Sequence, residues 1–432
     1  MDFLPKDTVG LDISDKSIEV LGLKRRFGRV SVSGYSRREL KPGIVEDGIV
    51  KDQAALVMAI KETILRAGLK SKQAVLSIPD SKTFIYVFRL PAVISEKNIG
   101  EAVQYEAEAT IPIAFHHAYH DFRVLAKTGD LQEVLYMACL KDIVDNLRLV
   151  VRLAGLEPVV VEPEVLSVAR ALFKHFPDEP VMVADIGSRT TVMSVIDRLG
   201  VTYSNVLKVA GQDLTQSIMA QTKVTESEAE KIKIISGLKK TSELKNIYNL
   251  DLVLGQIASA LVDNISYYEK RYQTTIKQLL LCGGNSLMPG LAEYLTAALK
   301  ISVQLGDPFA NLSVDRQAMP NIPVLYTTVI GLAHRGVDSQ ELQKNINLLA
   351  QEHEHFRFQA LKEFWHQPRQ KARATNLFKM PRLKVEKRVL ILIGVFVFLA
   401  IVFITILITQ QNTADPLINL QDSSYPAQPV DY

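Results

Sequence analysis

Cysteine is nearly absent from this chain. Cys139 and Cys282 are the two that occur, far apart in sequence. They form no zinc-ligand spacing, and no disulfide framework can be built from them; in a cytoplasmic setting both are expected to be reduced. Arginine-rich or aromatic-interleaved stripes are also missing from the first 340 or so residues, and the net charge is only +3. A nucleic-acid partner is therefore not expected. The opening stretch MDFLPKDTVGLD has no apolar core, so no exported N-terminus is expected. His116, His117 and His120 fall close together, with Asp121 the one potential co-ligand in their spacing. Surface histidines at a turn are expected there, not a metal site. No Ser/His/Asp or Cys/His arrangement is visible.

What the chain does have is one long apolar run. Val389 to Ile408 holds 20 residues without a charge, 17 of them Val, Leu, Ile or Phe. As a helix it would measure about 30 Å, the thickness of a bilayer core. Its insertion would be favourable by roughly 5–10 kcal/mol. Arg369, Lys371, Arg373, Lys379, Arg382, Lys384, Lys387 and Arg388 precede it, against Glu386 alone. No Lys or Arg follows it, and the tail carries Asp415, Asp422 and Asp431. The positive-inside rule gives a single-pass protein with its long N-terminal part cytoplasmic and residues 409–432 outside. That tail, with Pro416, Pro426 and Pro429, is expected to be disordered. The basic flank suits anionic lipid.

Upstream, β-runs and helical periods alternate in an α/β pattern. TVGLDIS, SIEVLGLKR and RVSVSGYSRREL read as an antiparallel meander. A helix over Gln53–Ala67 follows, with Leu56, Ile60, Ile64 and Leu65 on its apolar face, then the strand QAVLSIP. FIYVFRLPA, a helix over Glu96–Thr110, the strand LQEVLYMACL and a helix over Lys141–Gly155 come next. PVVVEP then leads into a helix over Glu164–Phe176. The second half begins again with PVMVADIG, TTVMSVIDRLG and VTYSNVLKVAG, then helices over 211–221, 227–235 and 250–273, and the strand QLLLCGG. Residues 339–388 read as a tether.

The chain thus holds an internal repeat, VGLDISDKSIEVL and VADIGSRTTVMSV. Each copy is a strand, a turn with Asp at its lip, and a returning strand. Backbone N–H groups of such a turn can meet phosphate oxygens, and Gly, Ser and Thr permit close approach. The Asp can hold Mg²⁺ through water. Asp12, Ser14 and Ser17 make up the first turn; Asp185, Gly187, Ser188, Thr190 and Thr191 make up the second. A third element, LLLCGGNSLMPGL, offers bare backbone at Gly283 and Gly284, next to Asn285, against which a purine could slide.

These three elements, in this order, resemble the phosphate-1, phosphate-2 and adenosine motifs of the actin-like ATPase superfamily. SEAEKIKIISG resembles the stretch that reaches ribose and base there, which implies roles for Glu230 and Lys233. Glu162, in VVVEPE, stands where that superfamily carries its water-orienting residue, and TTVIGLAHRG resembles its second hinge. YEAEATIP and GLEPVVVEPEVLSVARAL are similar to the PilM family of type IV pilus assembly proteins; the place of the insertion is shared with FtsA.

The resemblance implies a two-lobed actin-like ATPase fold with an inserted small α+β subdomain, followed by a linker and one transmembrane helix. The expected parts are 8–73 (first lobe), 74–157 (insertion), 158–336 (rest of the first lobe, second lobe and return hinge), 337–388 (linker), 389–408 (span) and 409–432 (tail). ATP and Mg²⁺ are the implied cofactors, with Asp12 and Asp185 on the metal side. Ser14 replaces the usual glycine and Glu19 the usual basic residue, so weak ATPase activity at most is expected. Within the linker, Asn345, Ile346, Asn347, Leu348 and Leu349 resemble the I-N-L-L peptide at the start of PilN. A PilM-like domain would then be fused to a PilN-like peptide and membrane helix, docking in cis or in trans on a second copy. The implied role is an inner-membrane platform scaffolding PilN/PilO-like proteins and an assembly ATPase. The alternatives are a type II secretion cytoplasmic protein, disfavoured by a tail too short for a folded domain, and an FtsA-like division tether. Phe356, Phe358, Leu361, Phe364 and Trp365 suggest either an amphipathic membrane helix or an extension of the domain.

Overall fold

The computed structural model describes residues 8–26, 29–239, 248–309, 320–338 and 345–350. The apolar run 389–408, its basic flank, the tail and the Phe356–Trp365 cluster lie outside the described residues. Among the described residues no helix is long and apolar enough to cross a membrane.

The meander forms as its alternation dictates. β1 (Val9–Ile13), β2 (Ser17–Arg26) and β3 (Arg29–Glu39) pair antiparallel in sequence order. A small hairpin, β4 (Val45–Glu46) with β5 (Ile49–Val50), leads to α1 (Gln53–Ala67). Asp52 caps α1 by accepting the Ala55 N–H at 2.9 Å, and Gly68 ends it in the left-handed region. Leu56 and Ile60 are buried as expected, but Leu65 is 79% exposed: it lies on the solvent side of the helix. β6 (Gln73–Ile78) then runs parallel to β1.

The insertion is a three-stranded sheet with one helix. β7 (Thr83–Pro91), α2 (Ile99–Thr110), β8 (Ala118–Thr128) and β9 (Leu131–Leu140) give the strand order β7-β9-β8. β9 alternates strictly. Val134, Tyr136 and Ala138 pack with α2, while Leu135, Met137 and Cys139 join the core of the first lobe. β8 was not expected as a strand. His120 is not a surface residue either, being buried between Phe115 and Tyr136.

Two boundaries shift. α3 (Lys141–Leu153) packs on α1, and β10 (Glu157–Pro163) runs parallel to β6. So β6 and α3 belong to the first lobe, and the insertion spans 83–140, not 74–157. The first sheet has the order β10-β6-β1-β2-β3.

After α4 (Glu164–Leu172) the pattern repeats. β11 (Val181–Ile186), β12 (Thr191–Asp197) and β13 (Gly200–Leu207) form the second meander. α5 (Gly211–Thr222), α6 (Glu226–Ile235) and α7 (Asp251–Tyr272) follow. β14 (Gln278–Cys282), α8 (Leu291–Leu299) and β15 (Ser302–Leu305) complete the lobe, both strands parallel to β11. The order β13-β12-β11-β14-β15 is that of the first sheet, as the internal repeat implied. α9 (Thr327–Val337) then returns to the first lobe and packs on β1, β2 and α4.

α4 and α9 cross at Gly331, where backbone meets backbone. A methyl group there would overlap the Ser167 carbonyl. Gly331→Ala should therefore cost about 1–3 kcal/mol in urea denaturation. Gly255→Ala, in the second turn of α7 with open space around it, should instead stabilise by about 0.5–1 kcal/mol.

Candidate functional site

Parallel strands place ligands at their carboxyl ends. Here β1, β6 and β10 of one lobe face β11 and β14 of the other across a cleft of about 560 Å³, a size suited to a small ligand. The two Asp-bearing turns meet in it. Asp12, Ser14, Ser17, Asp185, Gly187, Ser188, Thr190, Glu230, Lys233, Gly283, Gly284 and Asn285 all line it.

The two turns differ in their hydrogen bonding. Ser14 Oγ accepts the amides of Ser17 (3.0 Å) and Lys16 (3.4 Å), and the Ser14 amide donates to Ser17 O at 2.9 Å. The first turn thus uses three of its N–H groups internally, those of Ser14, Lys16 and Ser17, and the Ser14 hydroxyl takes two of them. In the second turn the Gly187 amide donates to Thr190 O, but those of Ser188 and Arg189 have no partner among the described residues. Gly283, with φ of +79°, brings backbone against Asp185 where no side chain would fit. Asn285 donates to Gly187 O at 2.7 Å, so its amide braces the second turn. Glu230 accepts from Thr215 (2.7 Å) and Lys233 (2.9 Å), with Oε1 left without a protein partner among the described residues.

Two expected residues do not reach the cleft. Thr191 is fully buried, and its hydroxyl donates to Val209 O at 2.8 Å. Glu162 is fully buried beneath the hinge helices, bound by Ser167 Oγ (2.6 Å), Arg170 (2.7 Å) and Arg335. Burial alone would raise its carboxyl, but the two arginines outweigh burial and hold it at about 2. It is an ion-pair centre, not a water-orienting group. Glu164, two residues on, lines the cleft instead.

Glu164, Asp12 and Asp185 gather at the cleft floor; Asp80 stands just behind them, lines a neighbouring pocket and accepts the Val165 amide. Asp12 accepts the Ser77 hydroxyl at 2.5 Å. No ion pair to any of the four exists among the described residues. Burial, and then mutual repulsion, raises Asp185 to about 6 and Asp80 to about 8; Glu164 is also pushed up, by burial and by all three. For Asp12 burial outweighs the Ser77 bond and raises it as well. Such a floor fits a divalent cation. No three of its groups are close enough to ligate one directly among the described residues, as suits a Mg²⁺ that keeps its water shell.

A second locus lies on β10, the edge strand of the first sheet. Residues 345–350 do not form a free tether. Ile346, Leu348 and Leu349 are each at most 1% exposed and join the first-lobe core. Leu348 N–H donates to Val161 O at 2.9 Å. Asn347 Oδ1 accepts the Val161 (3.1 Å) and Leu349 (3.1 Å) amides, while its own N–H donates to Asp121 at 2.8 Å. Arg335 donates to the carbonyls of Ile346 (2.6 Å) and Asn345 (2.9 Å). The I-N-L-L segment is thus docked on its own chain.

Asp80, Glu164 and Arg189 went unnoticed in sequence. The usable signal was that Asp80 and Glu164 each follow the end of a parallel strand.

Two matching lobes with duplicated Asp turns closing on one cleft define an actin-like fold. Residues 10–337 match the family described as Type IV pilus assembly protein PilM, and the chain belongs to that family. It is similar to a solved PilM-PilN type IV pilus biogenesis complex: 24% identity, a TM-score of 0.68, covering 77% of this chain and 98% of that one. Among curated proteins it is 24% identical to the cell division protein FtsA of Streptococcus pneumoniae over 347 residues, 69% of this chain and 75% of that one.

The raised carboxyls set a pH dependence. With unfolded values near 4 and folded values of about 6 and about 8, the folded state holds more protons between those limits. Stability must then fall as pH rises across that window. In metal-free buffer Tm should drop by a few degrees from pH 5 to pH 8. Asp80→Asn should flatten that profile and raise Tm at pH 8.

Proposed function

We propose that this chain is a nucleotide-binding, membrane-anchored platform for assembly of a type IV-like pilus. The observation that carries the reading is the docked I-N-L-L segment, in a chain of the PilM family whose cleft has a nucleotide-sized, cation-ready floor. The similar solved structure is a complex of PilM with PilN. In this chain a PilN-like segment would be supplied in cis. Asn347 satisfies the strand-edge groups as a partner strand would, and the three apolar side chains fill the core. The basic stretch and the run 389–408 would carry the same chain into an inner membrane, N-terminus inside.

In the cleft, Asp12 and Asp185 would hold Mg²⁺ through water and Glu230 the ribose of ATP. Turnover would be slow at best, since Ser14 draws the amides of its turn to itself and Glu19 puts an acid where a basic residue is usual. Partners would be inner-membrane pilus proteins of the PilN and PilO kind and an assembly ATPase. The match to FtsA supports a second reading, a division tether.

Crosslinking the full chain in its native membranes, with mass spectrometry of the neighbours, should return pilus inner-membrane proteins; division proteins in their place would establish the second reading. Phosphate release by the purified chain should stay near background. In hydrogen exchange, the Val161 and Leu348 amides should be slow in the native protein. Both should exchange quickly when Leu348 and Leu349 are replaced by Ser. Equal protection in the two proteins would refute cis docking.

A further inference from the structure

The cleft floor is acidic, so the charge that would hold a phosphate chain must come from elsewhere. Among the described residues, four cations line the cleft: Lys16, Arg37, Arg189 and Lys233. Two are committed. Arg37 pairs with the buried Glu19 at 2.8 Å, and Lys233 is buried against Glu230, Gly211 O and Thr215. Lys16 and Arg189 differ in kind. Each reaches across the cleft to a carboxylate of the other lobe: Arg189 to Asp15 at 2.6 Å, Lys16 to Glu226 at 3.4 Å. Both cations are about half exposed, at 44% and 50%, so exchanging partners costs them little desolvation.

Asp15 is also prepared for the exchange. Its Oδ1 accepts the Gly48 amide and its Oδ2 the Asp47 amide, each at 2.8 Å. Losing Arg189 would not leave it unsatisfied. The Ser188 and Arg189 amides beside the guanidinium have no partner among the described residues, whereas the first turn keeps the Ser14, Lys16 and Ser17 amides for its own Ser17 carbonyl and Ser14 hydroxyl. Two adjacent open donors and an exchangeable guanidinium therefore coincide at the tip of the second turn.

We propose that Arg189, with Lys16, is the phosphate-binding cation of this cleft, and that a nucleoside di- or triphosphate displaces Asp15 and Glu226 from them. The inference rests on the nucleotide reading above and adds the residues that select for the phosphate chain. A guanidinium presents two parallel donors to phosphate oxygens, so Arg189 dominates and Lys16 assists as a point charge. Binding would break both cross-cleft pairs and replace them with a ligand that spans the lobes.

The test measures ATP, ADP and AMP affinity by calorimetry on the full chain in detergent, with Mg²⁺. Arg189→Ala should weaken ATP and ADP at least about 10-fold while changing AMP less than about 3-fold; Arg189→Lys should recover part of the loss. Asp15→Asn should tighten ATP a few-fold by removing the competitor. An Arg189→Ala protein that binds ATP as the native one does would overturn the inference and leave the nucleotide reading standing. Equal loss of AMP and ATP would also overturn it, by making Arg189 a structural residue. A native chain that binds none of the three would overturn the nucleotide reading itself, and this inference with it.

Discussion

Glu162 is the point on which the first lobe turns. A fully buried carboxylate is costly unless every oxygen is matched, and here Ser167, Arg170 and Arg335 match it. These partners come from different places in the chain. Glu162 ends β10, Ser167 and Arg170 sit on α4, and Arg335 sits near the end of α9. One carboxylate thus fixes the edge strand against both helices that join the lobes. Arg335 also has donors to spare, and these go to the carbonyls of Asn345 and Ile346. The hinge and the docked segment are held by the same guanidinium.

The docked segment answers a problem that the duplicated topology creates. Each sheet ends in a parallel edge strand, β10 in one lobe and β15 in the other. β15 is four residues long, with Ser302, Gln304 and Leu305 exposed, and so offers little to pair with. β10 is longer, and Val160 and Val161 are buried. An open apolar edge of that kind invites pairing with other chains. Residues 346–349 close it. They do so without a regular ladder, because Asn347 uses its side-chain amide in place of a second strand's backbone.

Features fixed by local pattern were readable in the sequence. Both meanders and their Asp turns come from short-range alternation, and their repetition announced the two lobes. Features fixed by distant pairing were not. β6 and α3 look like parts of the insertion because they adjoin it in sequence; only their pairing with β1 and packing on α1 assign them to the first lobe. Glu162 and Glu164 lie two residues apart, and Pro163 turns the chain from strand to helix between them. That turn sends one carboxylate under the hinge and the other to the cleft, and no spacing rule distinguishes them. Asp80 carried no motif at all. The docking of KNINLLA was legible only through its resemblance to the I-N-L-L peptide, because three large apolar residues in a polar stretch are too few to declare a core, although they complete one already formed.

The cleft is layered by charge, and the layering follows from the fold. Its floor is made by the carboxyl ends of parallel strands and the first turn of α4, where Asp12, Glu164 and Asp185 converge with little water and Asp80 stands just behind them. Its rim is made by the tips of the two turns, which project past the strands and carry Lys16 and Arg189 into solvent. Floor and rim could not be exchanged. Half-exposed cations can change partners cheaply, whereas a buried acidic cluster can be neutralised only by protons or by a compact divalent ion. The rim pairs also join the lobes directly, through Asp15 and Glu226. Closure of this cleft therefore has a contribution from the protein alone, and any anion that enters has to replace that contribution as well as supply its own.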